Sequence, residues 1–176
     1  HGGTLDPAAT GVLPVALGQA NRLIEYLHDA SKIYRAQIEL GQTTDTYDAQ
    51  GRVVSQADPS SVTLQHIQEA LSMFRGPIWQ VPPSFSAIHY HGRRLHELAR
   101  AGLQVTLAPR RVEIFRLELV SWDSPFLCLE VECGKGTYIR SLAYDLGQTL
   151  GCGAYLKRLE RIRYGPFRQD NAISLE

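Results

Sequence analysis

One stretch of the chain is built to present a carboxylate: His1-Gly2-Gly3-Thr4-Leu5-Asp6-Pro7, followed by Ala9-Thr10-Gly11-Val12-Leu13-Pro14. Gly2 and Gly3 open backbone angles closed to other residues and let a ligand approach the main chain. Pro7 fixes its own φ and pushes Asp6 towards an extended conformation. The expected result is a stiff loop presenting a single Asp. Taken alone, Leu-Asp-Pro also reads as an Asx-turn, with Asp6 bonding its own backbone.

A carboxylate nucleophile works only while ionised, and burial disfavours the charged form unless a cation stands nearby. Arg140 is the candidate partner, because a guanidinium is always charged and can fork onto a carboxylate. At about 4 Å and an effective dielectric of about 20 the gross attraction is about 4 kcal/mol, part of which desolvation offsets. By itself, without a motif around it, Arg140 reads as an ordinary surface arginine rather than as this partner. Tyr34 falls on the apolar face of a strand, where it is either a core tyrosine or a ring on which a base can stack.

These side chains must be positioned by regular elements. Residues 16–28 read as an amphipathic helix through Leu17, Ala20, Leu23, Ile24 and Leu27. Lys32 to Leu40 alternates as a strand, with Tyr34, Ala36, Ile38 and Leu40 on one face. Thr43 to Gly51 is turn-rich, and Arg52-Val53-Val54 returns as a short strand. Asp58-Pro59-Ser60-Ser61 signals a helix start. Leu64, Ile67, Leu71 and Phe74 mark the helix, with Gly76 as its stop. Arg111 to Trp122 and Pro125 to Cys133 read as long strands. Gly134-Lys135-Gly136 is a tight connection, and Ile139 to Leu150 is a helix closing at Gly151. Residues 77–109, rich in Pro, Arg, His and aromatics, look like an excursion from the body, with a short helix from Arg94 to Ala101. The pattern predicts one mixed α/β domain over 1–176.

Its 176 residues suffice for a substantial core without staples. Cys128, Cys133 and Cys152 have no framework spacing, which argues for reduced thiols in a cytosolic, hence cytoplasmic, protein. No apolar run approaches the ~18 residues of a membrane span. His89, His91 and His96 lack Cys or carboxylate partners at metal-ligand spacing, so no metal site is assigned. Net charge is zero but uneven. Residues 1–74 carry four Lys and Arg against eight acids. Residues 75–116 carry seven arginines against Glu97 and Glu113. Residues 157–168 carry five basic residues against Glu160. Two basic blocks on a neutral chain suggest a polyanion footprint or a solvated charged face.

The motifs fall in one order. Gly2-Gly3-Thr4-Leu5-Asp6-Pro7 is followed by Lys32-Ile33-Tyr34-Arg35. Leu40-Gly41-Gln42-Thr43-Thr44-Asp45-Thr46 leads to Asp48-Ala49-Gln50-Gly51. Gly134-Lys135-Gly136-Thr137-Tyr138-Ile139-Arg140 and the pair Leu159 and Arg161 complete the series. Over essentially the whole chain this set closely resembles the TruB family of tRNA pseudouridine synthases. The resemblance implies a mostly antiparallel central sheet flanked by helices, the pseudouridine synthase fold. It implies isomerisation of uridine to pseudouridine in the T-loop of tRNA, at position 55, on a flipped nucleotide. Asp6 would be the nucleophile, Arg140 its partner, and Tyr34 the stacking ring and proposed base for sugar-proton removal. His1 would stack in the RNA to help eject the uridine, Leu159 would touch the base, and Asp48 would support the site. Lys135, Tyr138 and Arg161 are the remaining substrate-binding candidates from the matched motifs.

The uracil stays on the enzyme and nothing is oxidised or hydrolysed, so no cofactor is expected. Pro82 to Pro109 resembles the thumb with which bacterial members grip the T-stem–loop, and which guide-RNA-dependent relatives lack. The partner expected is therefore tRNA, without guide RNA or membrane, bound by a monomer. Two features of the family are not seen: a K-P-x-G-x-T-S segment before the His, and a C-terminal PUA domain. A missing N-terminal segment is thus an expectation. Rival readings are a non-catalytic tRNA-binding or folding protein, and a glycoside hydrolase, which ordinarily needs a second carboxylate.

Overall fold

The computed structural model describes residues 1–83, 86, 89–90, 93–94 and 107–174. Its centre is one seven-stranded sheet. Strand β1 (Thr10–Gly11) lies parallel to β10 (Ala154–Tyr164), and every other pairing is antiparallel. From β10 the sheet runs through β2 (Lys32–Leu40), β9 (Phe126–Cys133) and β8 (Arg110–Asp123) to the edge strand β5 (Gly76–Gln80). A short β11 (Phe167–Arg168) also pairs with β10. Two hairpins stand apart from it: β3 (Gln42–Thr44) with β4 (Val53–Gln56), and β6 (His89–Tyr90) with β7 (Arg93–Arg94).

The inner face follows from alternation. Leu127, Leu129, Val131 and Cys133 of β9 are all fully buried beside Ala36, Ile38 and Leu40 of β2. Helix α2 (Leu64–Ser72) covers part of this face with Ile67, Ala70 and Leu71. Helix α3 (Ile139–Thr149) covers the rest with Ile139, Leu142, Ala143 and Leu146. Each such side chain contributes roughly 1.5–3 kcal/mol on burial. Gly147 lets α3 approach β10: a Cβ there would lie 2.1 Å from the backbone nitrogen of Ala154. The outer face is charged. Arg116 bonds Glu130 at 2.7 Å, Arg163 pairs with Glu132, and Arg35 lies 3.6 Å from Glu130.

Four expectations are corrected. Residues 16–28 do not form one buried amphipathic helix. A 3-10 turn, Gly18–Leu23, runs into a single helical turn, α1 (Ile24–Leu27), and Leu17 and Leu23 face solvent. The cap of α2 is Thr63, not the Asp58–Ser61 stretch. Its hydroxyl accepts from His66 N at 3.2 Å, and its own N–H donates to His66 Nδ1 at 3.3 Å. Asp58 instead closes a turn on Ser60. Gly76 is the first residue of β5 rather than a helix stop. The excursion accordingly begins after Gln80, because Pro77 to Gln80 pair in register with β8. The Arg94–Ala101 helix lies outside the described residues beyond Arg94.

Strand β10, which lies between β1 and β2, has no counterpart among the elements expected from the sequence. Its alternation breaks twice, at bulges between Leu156 and Arg158 and between Arg161 and Arg163. Each bulge adds one residue and reverses which side chains face inward. Leu156 faces in before the first bulge; Leu159 and Arg161 face in after it; Tyr164 faces in after the second. Their partners on β2 are Ile38, Ala36, Tyr34 and Lys32 in that order. A strict period of two would have turned Leu159 and Arg161 to the outside.

Candidate active site

The loop bearing Asp6 is anchored at both ends. Gly2 N donates to Pro14 O at 2.9 Å, and the Tyr164 hydroxyl donates to the Gly2 carbonyl. Arg161 Nε donates to Val12 O at 2.8 Å and Nη2 to Gly3 O at 3.2 Å. Val12 N returns a bond to Arg161 O at 2.8 Å. This closeness demands glycine at 11: its φ is +102°, and a Cβ would lie 2.2 Å from Arg161 O. Arg161 is itself only 1% exposed, so a full charge is buried chiefly to hold the loop. Lys32 Nζ and the Arg161 guanidinium both approach the Tyr164 ring, at 4.3 and 5.0 Å.

Asp6 is not the turn residue its tripeptide suggests. The turn uses its carbonyl, which accepts from Ala9 N at 2.8 Å. Both carboxylate oxygens go to Arg140, with Nε to Oδ2 and Nη2 to Oδ1 each at 2.9 Å. Two parallel charge-assisted bonds are the strong form of this pair. Arg140 projects from the first turn of α3, with its side chain 6% exposed against 36% for Asp6. Its Nη1 points towards Thr46 O at 3.5 Å and Asp48 Oδ2 at 3.7 Å. Asp48 in turn accepts from Thr46 Oγ1 at 2.6 Å and from Gln50 N at 3.0 Å. The guanidinium therefore fixes a carboxylate that remains open on one side to solvent.

That open side faces a cavity of about 590 Å3, within the range that small ligands occupy. Asp6 and Arg140 line it together with Tyr34, Lys32, Tyr138, Ile139, Leu159 and Asp48. A hollow of about 660 Å3 elsewhere is formed by residues 21–26 and 28, and no strand of the sheet reaches it. Burial is the main cause that pushes the Tyr34 hydroxyl up to about 12, although the Arg161 guanidinium beside it pulls the other way. Holding tyrosinate at neutral pH would thus cost about 7 kcal/mol. Tyr34 therefore presents a ring and a protonated hydroxyl to the cavity. Burial likewise raises the neighbouring Cys133 thiol to about 11, so it stays a protonated core group.

The other candidates divide. Asp48, Tyr138, Leu159 and Arg161 line the cavity. Lys135 does not; it points to solvent and meets Asp29 at 2.6 Å. His1 is exposed and lies outside the lining. Lys32 and Thr46, which sequence reasoning passed over, belong to the site. Both stand within the quoted motifs, but nothing in their type distinguishes them from an ordinary strand lysine and loop threonine. The side chains of the His89–His96 cluster lie outside the described residues. Among those described, no three His, Cys, Asp or Glu side chains gather as a metal site. No helix there is long and apolar enough to cross a membrane.

A family model described as TruB family pseudouridylate synthase (N terminal domain) matches residues 1–139. A second, tRNA pseudouridylate synthase B C-terminal domain, matches residues 140–176. The chain belongs to the TruB family. Its relatives include proteins named tRNA pseudouridine synthase B from Dehalococcoides mccartyi and Gloeobacter violaceus. The first is 51% identical, over 99% of this chain and 58% of its own length. The second is 50% identical, over 99% of this chain and 61% of its own length. The chain thus spans about 58% of the length of the first curated relatives it matches. Among solved structures, a Cbf5–Nop10–Gar1 complex superposes with a TM-score of 0.72 at 32% identity, over 97% of this chain and 41% of that one. An archaeal box H/ACA sRNP Nop10–Cbf5 complex does so at 0.69 and 29%, over 99% and 41%. The TruB motifs and the mostly antiparallel sheet therefore agree. The border between the two family models falls between the residues that complete the site, since Asp6 lies in one and Arg140 opens the other.

Proposed function

We propose that this chain is the catalytic unit, over 1–176, of a tRNA pseudouridine synthase acting on a T-loop uridine, position 55 by family analogy. The observation that carries the reading is the Asp6 carboxylate, forked by Arg140 at the wall of a cavity that Tyr34 also lines. A uridine lifted from its stack enters this cavity, at a cost of a few kcal/mol. Stacking on Tyr34 returns roughly 1–3 kcal/mol of that. Asp6 attacks the sugar C1′, the bond from C1′ to N1 breaks, and the uracil turns in place. C5 then bonds C1′, Asp6 leaves, the C5 proton is released to solvent, and N1 takes up a proton in its place. Substrate and product have the same composition, so no cofactor takes part. Leu159 and Ile139 offer apolar contact to the base, and Asp48 holds the far side of Arg140. We place His1 and Lys135 at the RNA rather than at the reacting atoms.

The names of the curated relatives support tRNA as partner. The sequence from Pro82 to Pro109, which resembles a thumb insertion, supports a protein that grips its RNA without a guide; we expect a monomer, and the free thiols of Cys128, Cys133 and Cys152 fit the cytoplasm. The test is conversion of a T-arm hairpin carrying tritium at C5, read as tritium release, by wild type and Asp6→Asn. Release by wild type alone is expected. RNA binding with no release by either protein would favour a binding protein, and free uracil would mark a hydrolase.

A further inference from the structure

Helix α3 begins badly for a helix that must hold Arg140 still. A helix start leaves its first N–H groups without partners, and Ser, Thr, Asp or Asn ordinarily caps it. Here the cap position is Tyr138, which makes no side-chain capping bond. The help comes from another strand. Gln80, the last residue of β5, is 1% exposed. Its Oε1 accepts from Tyr138 N at 3.0 Å, and its Nε2 donates to Tyr138 O at 3.2 Å. Only one orientation of the amide satisfies both bonds. One residue on, Val81 O accepts from Ser141 Oγ at 2.7 Å. Residues 138 and 141 are thus tied to residues 80 and 81, and Arg140 lies between the ties.

We propose that Gln80 is a positioning residue, whose buried amide grips the backbone of Tyr138 so that Arg140 stays forked on Asp6. A glutamine serving only the sheet would bond its strand neighbours. This one turns both polar ends to a single residue two positions before the guanidinium. It does not itself line the cavity, although Tyr138, whose backbone it holds, does. Its catalytic consequence rests on the isomerase reading above; its structural consequence does not.

The experiment uses the chain with Gln80→Leu, Gln80→Glu and, as a control for lost stability alone, Ile67→Val under α2. Two readouts are taken. The first is the Nε–H resonance of Arg140 in 15N-arginine-labelled protein, assigned by its loss in Arg140→Lys. A doubly bonded guanidinium gives a slowly exchanging signal. Gln80→Leu should speed its exchange at least tenfold, and Gln80→Glu, which can accept from Tyr138 N–H but not donate to its carbonyl, should fall between. Ile67→Val should match wild type. The second is the single-turnover rate on the T-arm hairpin. Misplacement by about 1 Å can cost on the order of 100-fold. Gln80→Leu should lose 10- to 100-fold in rate, with the RNA dissociation constant within twofold of wild type.

Wild-type exchange and rate in Gln80→Leu would overturn the proposal, as would an equal loss in Ile67→Val. If Gln80→Leu fails to fold, the intermediate behaviour of Gln80→Glu decides. If wild type converts no RNA, the isomerase reading falls, and the Arg140 resonance still decides whether Gln80 positions it.

Discussion

Asp6 and Arg140 are 134 residues apart in the chain and joined by two hydrogen bonds of 2.9 Å. The partners are unequally placed, for the guanidinium is buried and the carboxylate is partly open. Removing one or the other should therefore differ in effect. Asp6→Asn keeps a neutral acceptor for Arg140 and should lower stability by about 1–3 kcal/mol, with conversion of the T-arm lost. Arg140→Ala takes a buried charge from two carboxylates and should cost about 3–5 kcal/mol. Urea denaturation of the three proteins gives the order; equal losses would contradict the geometry.

Arg161 holds the loop that carries Asp6, and its effect on the reaction is expected to run mainly through that loop. Its bonds to Val12 O and Gly3 O fix the chain on both sides of Asp6. Arg161→Met keeps much of the volume and leaves those carbonyls unsatisfied, at a cost of about 1–3 kcal/mol. Turnover should fall with little change in RNA affinity. A variant that loses affinity and keeps its single-turnover rate would place Arg161 on the RNA instead.

Tyr34 makes stability depend on high pH. Its folded pKa, about 12, lies above the ordinary tyrosine value. The stabilising effect is complete below pH ~10 and is lost as pH rises through about 12. The full difference is on the order of 2–3 kcal/mol. Tyr34→Phe should lose less stability than wild type between pH 9 and 11.5, measured in parallel urea titrations. Identical slopes would mean that the hydroxyl is hydrated.

Asp145 makes the opposite range informative. Burial raises its carboxyl to about 6, so its effect on stability is complete below pH ~4 and lost as pH rises through about 6. At neutral pH the ionised group opposes folding. Asp145→Asn should gain about 1–2 kcal/mol at pH 8, after discounting for its partial exposure, and little at pH 4. A gain of equal size at both pH values would point to a cause other than charge.

Local order along the chain was largely legible. Strand β2 runs over the residues its alternation marked, Lys32–Leu40. Helix α3 and strands β8 and β9 lie within a residue or two of their apolar patterns. These are readable because one buried face imposes one period. The residues 16–28 misled because their helical spacing meets no covering surface in the structure. Glycine and proline around Asp6 restrict the backbone there, so that position was legible locally; Tyr34 and Arg140 stood out only through the resemblance of their motifs to the TruB family.

The sequence alone determined which residue types could supply a nucleophile, a counter-charge and a stacking ring, because type and local spacing are properties of the chain. The tertiary structure decided which of them meet. Strand β10 turns Leu159 and Arg161 inward only because the bulge between Leu156 and Arg158 reverses its faces. Lys32, on the same face of β2 as Tyr34, lines the cavity because its neighbour on β10 is Tyr164 and the Asp6 loop packs beside it. Gln80 reaches Tyr138 across 58 residues of chain. Such contacts depend on sheet order and register, which are settled by packing the whole inner face at once, and no local pattern encodes them.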